Sequence, residues 1–344
     1  MLNREIEKFI QEAIGRKHSS ELGSLIDGYR LCARSEGKSP NYVSLVTASV
    51  KSLLRYLRSN DLPTDVFDIS AQHIRGFILH LQSVNRFAAH RYAKPQDTKL
   101  TGHTVNTYMR SLRAFWSWLE AEGIIEANPF TQLKIPRAPK KLIPTFSDEQ
   151  IRALLVQVDT SSPTGFRNYT IILLLLDTMI RVSELTGCQM EDLNLEGRCL
   201  KVWGKGSKER VVPFGRTVQK ALWRYTTLYR PKPLLPRQDM LFLTADGRPM
   251  TKNRIEAILK VYGKKAGIRG VRVSPHTFRH TGAVAFLRNG GDLFSLQRIM
   301  GHSCLEVLRG YVNLSQGDLN RVQAKASPLD NLGLPIPRVR RVTK

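Results

Sequence analysis

The sequence predicts a mainly α protein with a small antiparallel β-sheet, built as two domains. Three observations predict it. Apolar residues recur at helical spacing along most of the chain. Only two strand-like runs stand out, and they flank one glycine-rich turn, which makes a β-hairpin. Between the two helical halves lies "NPFTQLKIPRAPKKLIPTFSDEQ", with four prolines and several basic residues, which reads as an extended linker with little to pack. At 344 residues the chain is long enough for two cores. The predicted boundaries are a polar, partly helical lead-in (1–18), a helical domain (19–130), the linker (131–145), a second domain (146–325) and a basic tail (326–344).

The elements follow in order. "SPNYVSLVTASVKSLLRYLRSN" opens with Ser39 as N-cap and Pro40 in the first helical position. Tyr42, Val46, Val50, Leu53 and Leu57 form its apolar stripe, and Lys51, Arg55 and Arg58 line another face. "GHTVNTYMRSLRAFWSWLEAEG" turns Val105, Tyr108, Leu112, Phe115 and Leu119 inward and leaves His103, Asn106, Arg110 and Arg113 on another side. The polar, basic segment "NRFAAHRYAKPQDTKLTG" between them reads as a loop that either crosses close to DNA or is disordered when free. Ser147-Asp148-Glu149-Gln150 is a capping box that starts the second domain. "RNYTIILLLLDTMIRVSELTG" reads as a buried helix, a turn and a second helix. The hairpin strands are Cys199–Trp203 and Arg210–Phe214, and helices follow to about residue 325. The proline-rich tail "ASPLDNLGLPIPRVRRVTK" either docks on a neighbouring subunit or hangs free.

Charge narrows the partner. Lys and Arg number 53 against 29 Asp and Glu, a net charge of +24. Such a field draws a polyanion, with nucleic acid first. Two helices with basic outer faces suit a domain that saddles a duplex by its phosphates. Lys51, Arg55, Arg58, Arg110, Arg113 and Lys208 are the candidate DNA contacts. Cys32, Cys188, Cys199 and Cys304 form no C-x-x-C pair and lack zinc-finger spacing, so reduced thiols in a cytoplasmic protein are expected. "MLNREIEKFI" lacks the apolar core of a signal peptide, and the longest apolar run, Ile171 to Leu176, is too short to span a bilayer, so no membrane role is expected.

The chemistry concentrates in four places. In "SPHTFRHTGAVAF", His276, Arg279 and His280 share one helix face. Two histidines four apart can bind zinc, but Thr277 stands where a zinc hydrolase has its glutamate, and Arg279 would set a cation against the metal. With Ser274 and Pro275 starting the helix, His276 falls in the first turn, where free N–H groups favour an anion. In "IRVSEL", Arg181 stands one turn before Glu184, either as a surface ion pair or as a phosphate ligand oriented by a carboxylate. "GKGSKER" puts Lys205 at the hairpin tip. In "IMGHSCLEVLRGYVNLS", Ser303 and Glu306 start a helix just after His302, with Tyr311 nine residues beyond.

Taken together, Arg181, Lys205, His276, Arg279, His302 and Tyr311, within "RVSEL", "VWGKGSKERVVP", "HTFRH" and "MGHS" and at the final tyrosine, resemble the tyrosine recombinase (phage-type integrase) family over roughly residues 146–325. The first domain resembles the family's core-binding domain but carries no specific motif, and the two together would clamp DNA. One departure stands in "DTMIR", where the family has a Thr-Gly-Leu-Arg-like turn: Met179 and Ile180 replace the small residue and the leucine. The resemblance implies that Tyr311 attacks a DNA phosphodiester and forms a 3′-phosphotyrosine link. Arg181 and Arg279 would stabilise the pentacoordinate phosphate, with hydrogen bonds from His302 and His276. His276 would take the phenol proton, and Lys205 would protonate the leaving 5′ oxygen. Glu184 and His280 would support their neighbours. A free 5′ hydroxyl from another duplex then reseals the strand.

No metal or other cofactor is expected. The expected partners are double-stranded DNA bearing specific recombination sites, four protomers around two duplexes, and an accessory directionality protein in some settings. The role would be integration or excision of a mobile element or phage, or Xer-like resolution. The rival readings are a type IB topoisomerase-like relaxase, a non-catalytic DNA-binding regulator and, last, an RNA-binding protein, for which the usual signatures are missing.

Overall fold

The computed structural model describes residues 20–85, 96–136, 144–204, 209–235 and 239–301. The lead-in, most of the basic loop, the hairpin tip with Lys205 and Lys208, and everything from His302 onward, Tyr311, Cys304 and the tail included, lie outside the described residues. The chain divides into two compact units, Met1–Lys141 and Leu142–Lys344.

The first unit holds four described helices: α1 (Leu25–Ser35), α2 (Pro40–Ser59), α3 (Ala71–Ser83) and α4 (Gly102–Ala121). Ser39 caps α2 by accepting from the Tyr42 backbone N–H at 3.3 Å, with Pro40 in the first turn. The buried stripe of α2 runs through Val43, Val46, Val50, Leu53 and Leu57, while Tyr42 lies at its exposed edge, one position off the core face. On α4 the core residues are Val105, Met109, Leu112, Phe115, Trp116 and Leu119, and Tyr108 is only partly buried. The rings of Tyr29, Phe115 and Trp118 meet with centroids 5.4 to 5.5 Å apart, Tyr29 and Trp118 edge to face and the other two pairs tilted.

The proline-rich stretch corrects an expectation. It was read as having little to pack, yet Phe130 and Leu133 are buried in the first core and Phe146 in the second. Asn128 is also buried, and its side-chain oxygen accepts from the Phe130 N–H at 3.0 Å. Large side chains decide the matter here, because burying each removes far more apolar area than its neighbouring prolines disrupt.

The second unit contains α5 (Asp148–Val156), α6 (Pro163–Thr178), the short α7 (Val182–Gly187), a sheet, α8 (Arg216–Arg224), α9 (Lys252–Lys265), α10 (Pro275–Arg288) and α11 (Leu293–Met300). The sheet is β1 (Leu193–Asn194), β2 (Cys199–Trp203) and β3 (Glu209–Pro213), antiparallel in that order. The hairpin is thus as expected, shifted by one residue in its second strand, with Lys201 opposite Val211. Helices follow the hairpin as expected, as far as Met300 among the described residues, but with an interruption: Tyr225–Tyr229 is a π-turn, and the described residues between Arg230 and Thr251 carry isolated bridges at Gln189–Met240 and Leu243–Pro249. Arg230 pins that segment, donating to the carbonyls of Met240 at 2.7 Å and Leu241 at 3.1 Å.

The core of this unit forms where α6 packs on α10. Gly282 allows their close approach, since a Cβ there would stand 2.1 Å from the Leu176 carbonyl oxygen. Helix α6 ends at Met179 in the left-handed conformation, φ 54°. This is the unusual turn of "DTMIR". The strain of a non-glycine residue there, about 1 kcal/mol, is offset by burial. The Met179 side chain packs with Ala283, Leu287, Leu296 and Met300, a small cluster joining the turn to α10 and α11.

Candidate active site

Four segments of the second unit converge: the turn after α6, the strand β3, the start of α10 and the end of α11. Arg181 is the N-cap of α7, and its side chain is 36% exposed. Glu184, one turn on, is buried, with only 1% of its side chain exposed. Its carboxylate accepts from the Arg181 backbone N–H at 2.7 Å and from Arg181 Nη1 at 2.8 Å. The same carboxylate takes a two-pronged bond from Arg210, with Nη1 on Oε1 and Nη2 on Oε2, both at 2.8 Å. Burial alone would raise the Glu184 pKa, but the bonds from Arg210 and Arg181 outweigh it and hold the carboxyl below its ordinary value. Glu184 is therefore a fixed anion that orients two cations.

Arg279 lies on α10 and is buried. Its Nη1 donates to the Met179 carbonyl, and its Nη2 donates to the Met300 carbonyl at 2.8 Å. The end of α11 is thus met by three arginines in succession. Arg210 Nε donates to the Ile299 carbonyl at 2.9 Å, Arg279 to Met300, and Arg181 Nη2 lies 3.5 Å from the Gly301 carbonyl. The last carbonyls of a helix lack partners within it and carry its negative pole, so cations suit this position. Arg181 and Arg279 reach the same two stretches of backbone, 179–181 and 300–301.

Ser274 caps α10 as expected, accepting from the Thr277 N–H at 3.4 Å. His276 is exposed in the first turn, and His280 is half-buried one turn deeper. Burial first, then the neighbouring His276 and Arg279, push the His280 imidazole below its ordinary pKa. A neutral His280 suits a supporting role rather than a charged contact. Lys205, His302 and Tyr311 lie outside the described residues. His302 directly follows Gly301 in the chain, and Lys205 belongs to the segment joining β2 to β3.

Of the candidate DNA contacts, Lys51, Arg55 and Arg58 line a shallow hollow along α2 with Leu54 and Ser59. Arg58 is already paired there with Glu21 at 2.6 Å. Arg110 is exposed on α4. Arg113 braces its own unit, donating to the carbonyls of Leu133 at 3.2 Å and Phe130 at 3.5 Å.

Sequence reading missed Arg210. A signal was present: along "ERVVPF", Val212 and Phe214 are buried while Val211 is exposed, so Arg210 falls on the inward face of the alternation. An arginine at an inward strand position asks for a buried carboxylate, and Glu184 supplies it.

Comparison with known proteins identifies the family. The model of the phage integrase family matches residues 144–317, and that of the phage integrase SAM-like domain matches residues 26–135. Tyrosine recombinase XerD of Listeria innocua serovar 6a is 29% identical over 89% of this chain and 99% of its own length. XerD of Lacticaseibacillus casei is 34% identical over 78% of this chain and 90% of its own. Among solved structures, the Tn1549 transposon integrase in complex with a circular intermediate DNA shares the fold, with a TM-score of 0.65 at 21% identity over 88% of this chain and 98% of that one. With a family model over half its length and relatives matched nearly end to end, the chain belongs to the phage integrase family of tyrosine recombinases.

Proposed function

We propose that this recombinase cuts and rejoins duplex DNA at specific sites through a 3′-phosphotyrosine intermediate on Tyr311. The observation that carries the reading is the convergence of Arg181 and Arg279 on the end of α11, with Arg181 oriented by a buried Glu184. Attack of the Tyr311 oxygen on phosphorus would form the P–O bond to tyrosine and break the P–O5′ bond. Charge then grows on the non-bridging oxygens, and fixed guanidinium groups stabilise that state more than the ground state. A phenol of pKa near 10 is about one part in a thousand ionised at neutral pH, so a base must take its proton. His276, exposed at the start of α10, is assigned that role, and Lys205 is assigned proton delivery to the leaving 5′ oxygen. Attack by a 5′ hydroxyl of a second duplex reverses the chemistry and seals the exchanged strand.

The basic faces of α2 and α4 would hold the duplex by its phosphates. Four protomers around two duplexes would complete the exchange, with the tail packing on a neighbour and an accessory protein setting direction. Two of the relatives compared above are named tyrosine recombinase XerD and one solved neighbour is a transposon integrase, names that fit a Xer-type and a mobile-element role respectively.

The test is a trapping assay. The protein is incubated with pooled nicked duplexes from its own genomic neighbourhood and then denatured. A protein–DNA adduct that survives denaturant, and is lost in Tyr311→Phe, is the expected result. Sequencing the trapped DNA would name the site and separate the mobile-element role from the Xer-type one. Tight binding without an adduct on any duplex would instead favour a non-catalytic regulator. An adduct that reseals only its own strand would favour a relaxase.

A further inference from the structure

We infer that Arg210 is a positioning residue for strand cleavage, locking the Arg181 guanidinium and the end of α11 into one rigid unit. The inference rests on the cleavage reading above. Glu184 offers two oxygens and receives four donors, two from Arg181 and two from Arg210. Without Arg210, half of those bonds vanish and the carboxylate can rotate, taking Arg181 with it. The third contact of Arg210 goes elsewhere: its Nε donates to the Ile299 carbonyl at 2.9 Å. One planar group therefore ties α7 to the last turn of α11.

The fit at the end of α11 is close. Gly301 has φ 64°, and a Cβ there would stand 2.9 Å from the Cζ, Nε and Nη1 of Arg210. The backbone at 301 thus lies directly against the guanidinium, and His302 is the next residue. Arg210 also sits on β3, five residues after Lys205 in the same hairpin. A single side chain thereby joins the carboxylate that aims Arg181, the residue before His302 and the strand that follows Lys205. Its own exposure is 15%, against 36% for Arg181, so it is spent on protein contacts rather than offered to a phosphate. Lysine can replace it only in part, because one ammonium cannot make the paired bond to Glu184 and the Nε bond together.

The experiment uses the full chain with Arg210→Gln and Arg210→Lys, on the nicked duplex recovered by trapping. Single-turnover cleavage is measured at saturating DNA, and Kd is measured separately. The expected result is a rate about 100-fold below wild type in Arg210→Gln, as displaced catalytic groups produce. Kd should stay within about twofold, and Arg210→Lys should recover part of the rate. In the free protein, the Nε–Hε resonance of Arg181 should move and exchange faster with water in Arg210→Gln. A cleavage rate per folded molecule equal to wild type, or a loss carried wholly by Kd, would overturn the inference. Should Arg210→Gln fail to fold, Gly301→Ala presses on the same guanidinium and must slow cleavage at unchanged Kd, and an unchanged rate there overturns it too. If wild type forms no adduct, the cleavage reading fails by itself, and the Arg181 resonance still reports whether Arg210 holds that side chain.

Discussion

The two units spend their charges in opposite ways. Among the described residues of the first unit, the buried polar side chains are Thr47, Ser49, Ser111 and Asn128, all neutral. Its lysines and arginines stand on the outside of α2 and α4, above stripes of leucine, valine and aromatic rings. The second unit buries Arg167, Glu184, Asp192 and Arg279. Arg167 shows how far this goes: with no ion pair among the described residues, it is held by the Asn168 side-chain oxygen at 2.8 Å and the Leu243 carbonyl at 2.9 Å. The difference suits the two tasks proposed for them. Attraction of a polyanion by released counterions needs charge but no fixed geometry. Stabilising a transition state needs charge already aimed, and burial with satisfied hydrogen bonds is what holds a long side chain still.

The contrast can be broken by substitution, and the largest effect should come from the aimed charges. Arg181→Ala should lower single-turnover cleavage by about 100- to 1000-fold. DNA affinity should change little, because one phosphate contact among many is lost. A loss of binding with an intact rate would place Arg181 with the surface charges instead.

Next comes Glu184→Gln, which removes a buried anion from between two cations and should cost the second unit about 3 kcal/mol at neutral pH. The pH dependence sharpens it. The folded carboxyl lies below its ordinary value, so its stabilisation is complete above the unfolded pKa of about 4.3. It is lost as pH falls through the folded value. Urea melts of wild type and variant should therefore converge in acid and stay apart above about pH 5. A constant gap would mean that shape, not charge, is what Glu184 contributes.

Gly282→Ala tests whether helix packing sets the site. The added methyl would press on the Leu176 carbonyl, so a destabilisation of about 2 kcal/mol is expected from thermal melts. A neutral outcome would mean that α6 and α10 can separate without disturbing Met179 and Arg279.

The smallest effect per residue belongs to the first unit. Lys51→Ala and Arg55→Ala should each reduce the slope of log affinity against log salt by about one. Cleavage at saturating DNA should be unchanged. A changed rate would mean that α2 takes part in more than holding the duplex.

Much of this was legible before any coordinates. The caps at Ser39, Ser147 and Ser274, the hairpin, and the pairing of Arg181 with Glu184 follow from local rules that act within a few residues. The three-arginine arrangement was not legible, because Arg181, Arg210 and Arg279 come from a turn, a strand and a helix that meet at a fourth element. The packing of the proline-rich stretch was hidden for a similar reason: prolines announce a break in local structure, whereas the burial of Leu133 inside the predicted linker, and of Phe130 and Phe146 at its two ends, depends on distant walls. Met179 is a third example. In the sequence its side chain is only a departure from the family's turn, and the cluster with Leu287 and Met300 reveals what offsets its left-handed backbone.

By itself the sequence determined the helices α2 and α4, the start of α5, the turn between α6 and α7, the hairpin, the strong positive charge and the family, since periodicity, caps and ordered motifs are properties of the chain's own order. The tertiary structure alone decided that Glu184 serves two arginines and that the end of α11 rests on three, because a local pattern can turn a side chain inward but cannot name a hydrogen-bond partner 26, 89 or 120 residues away.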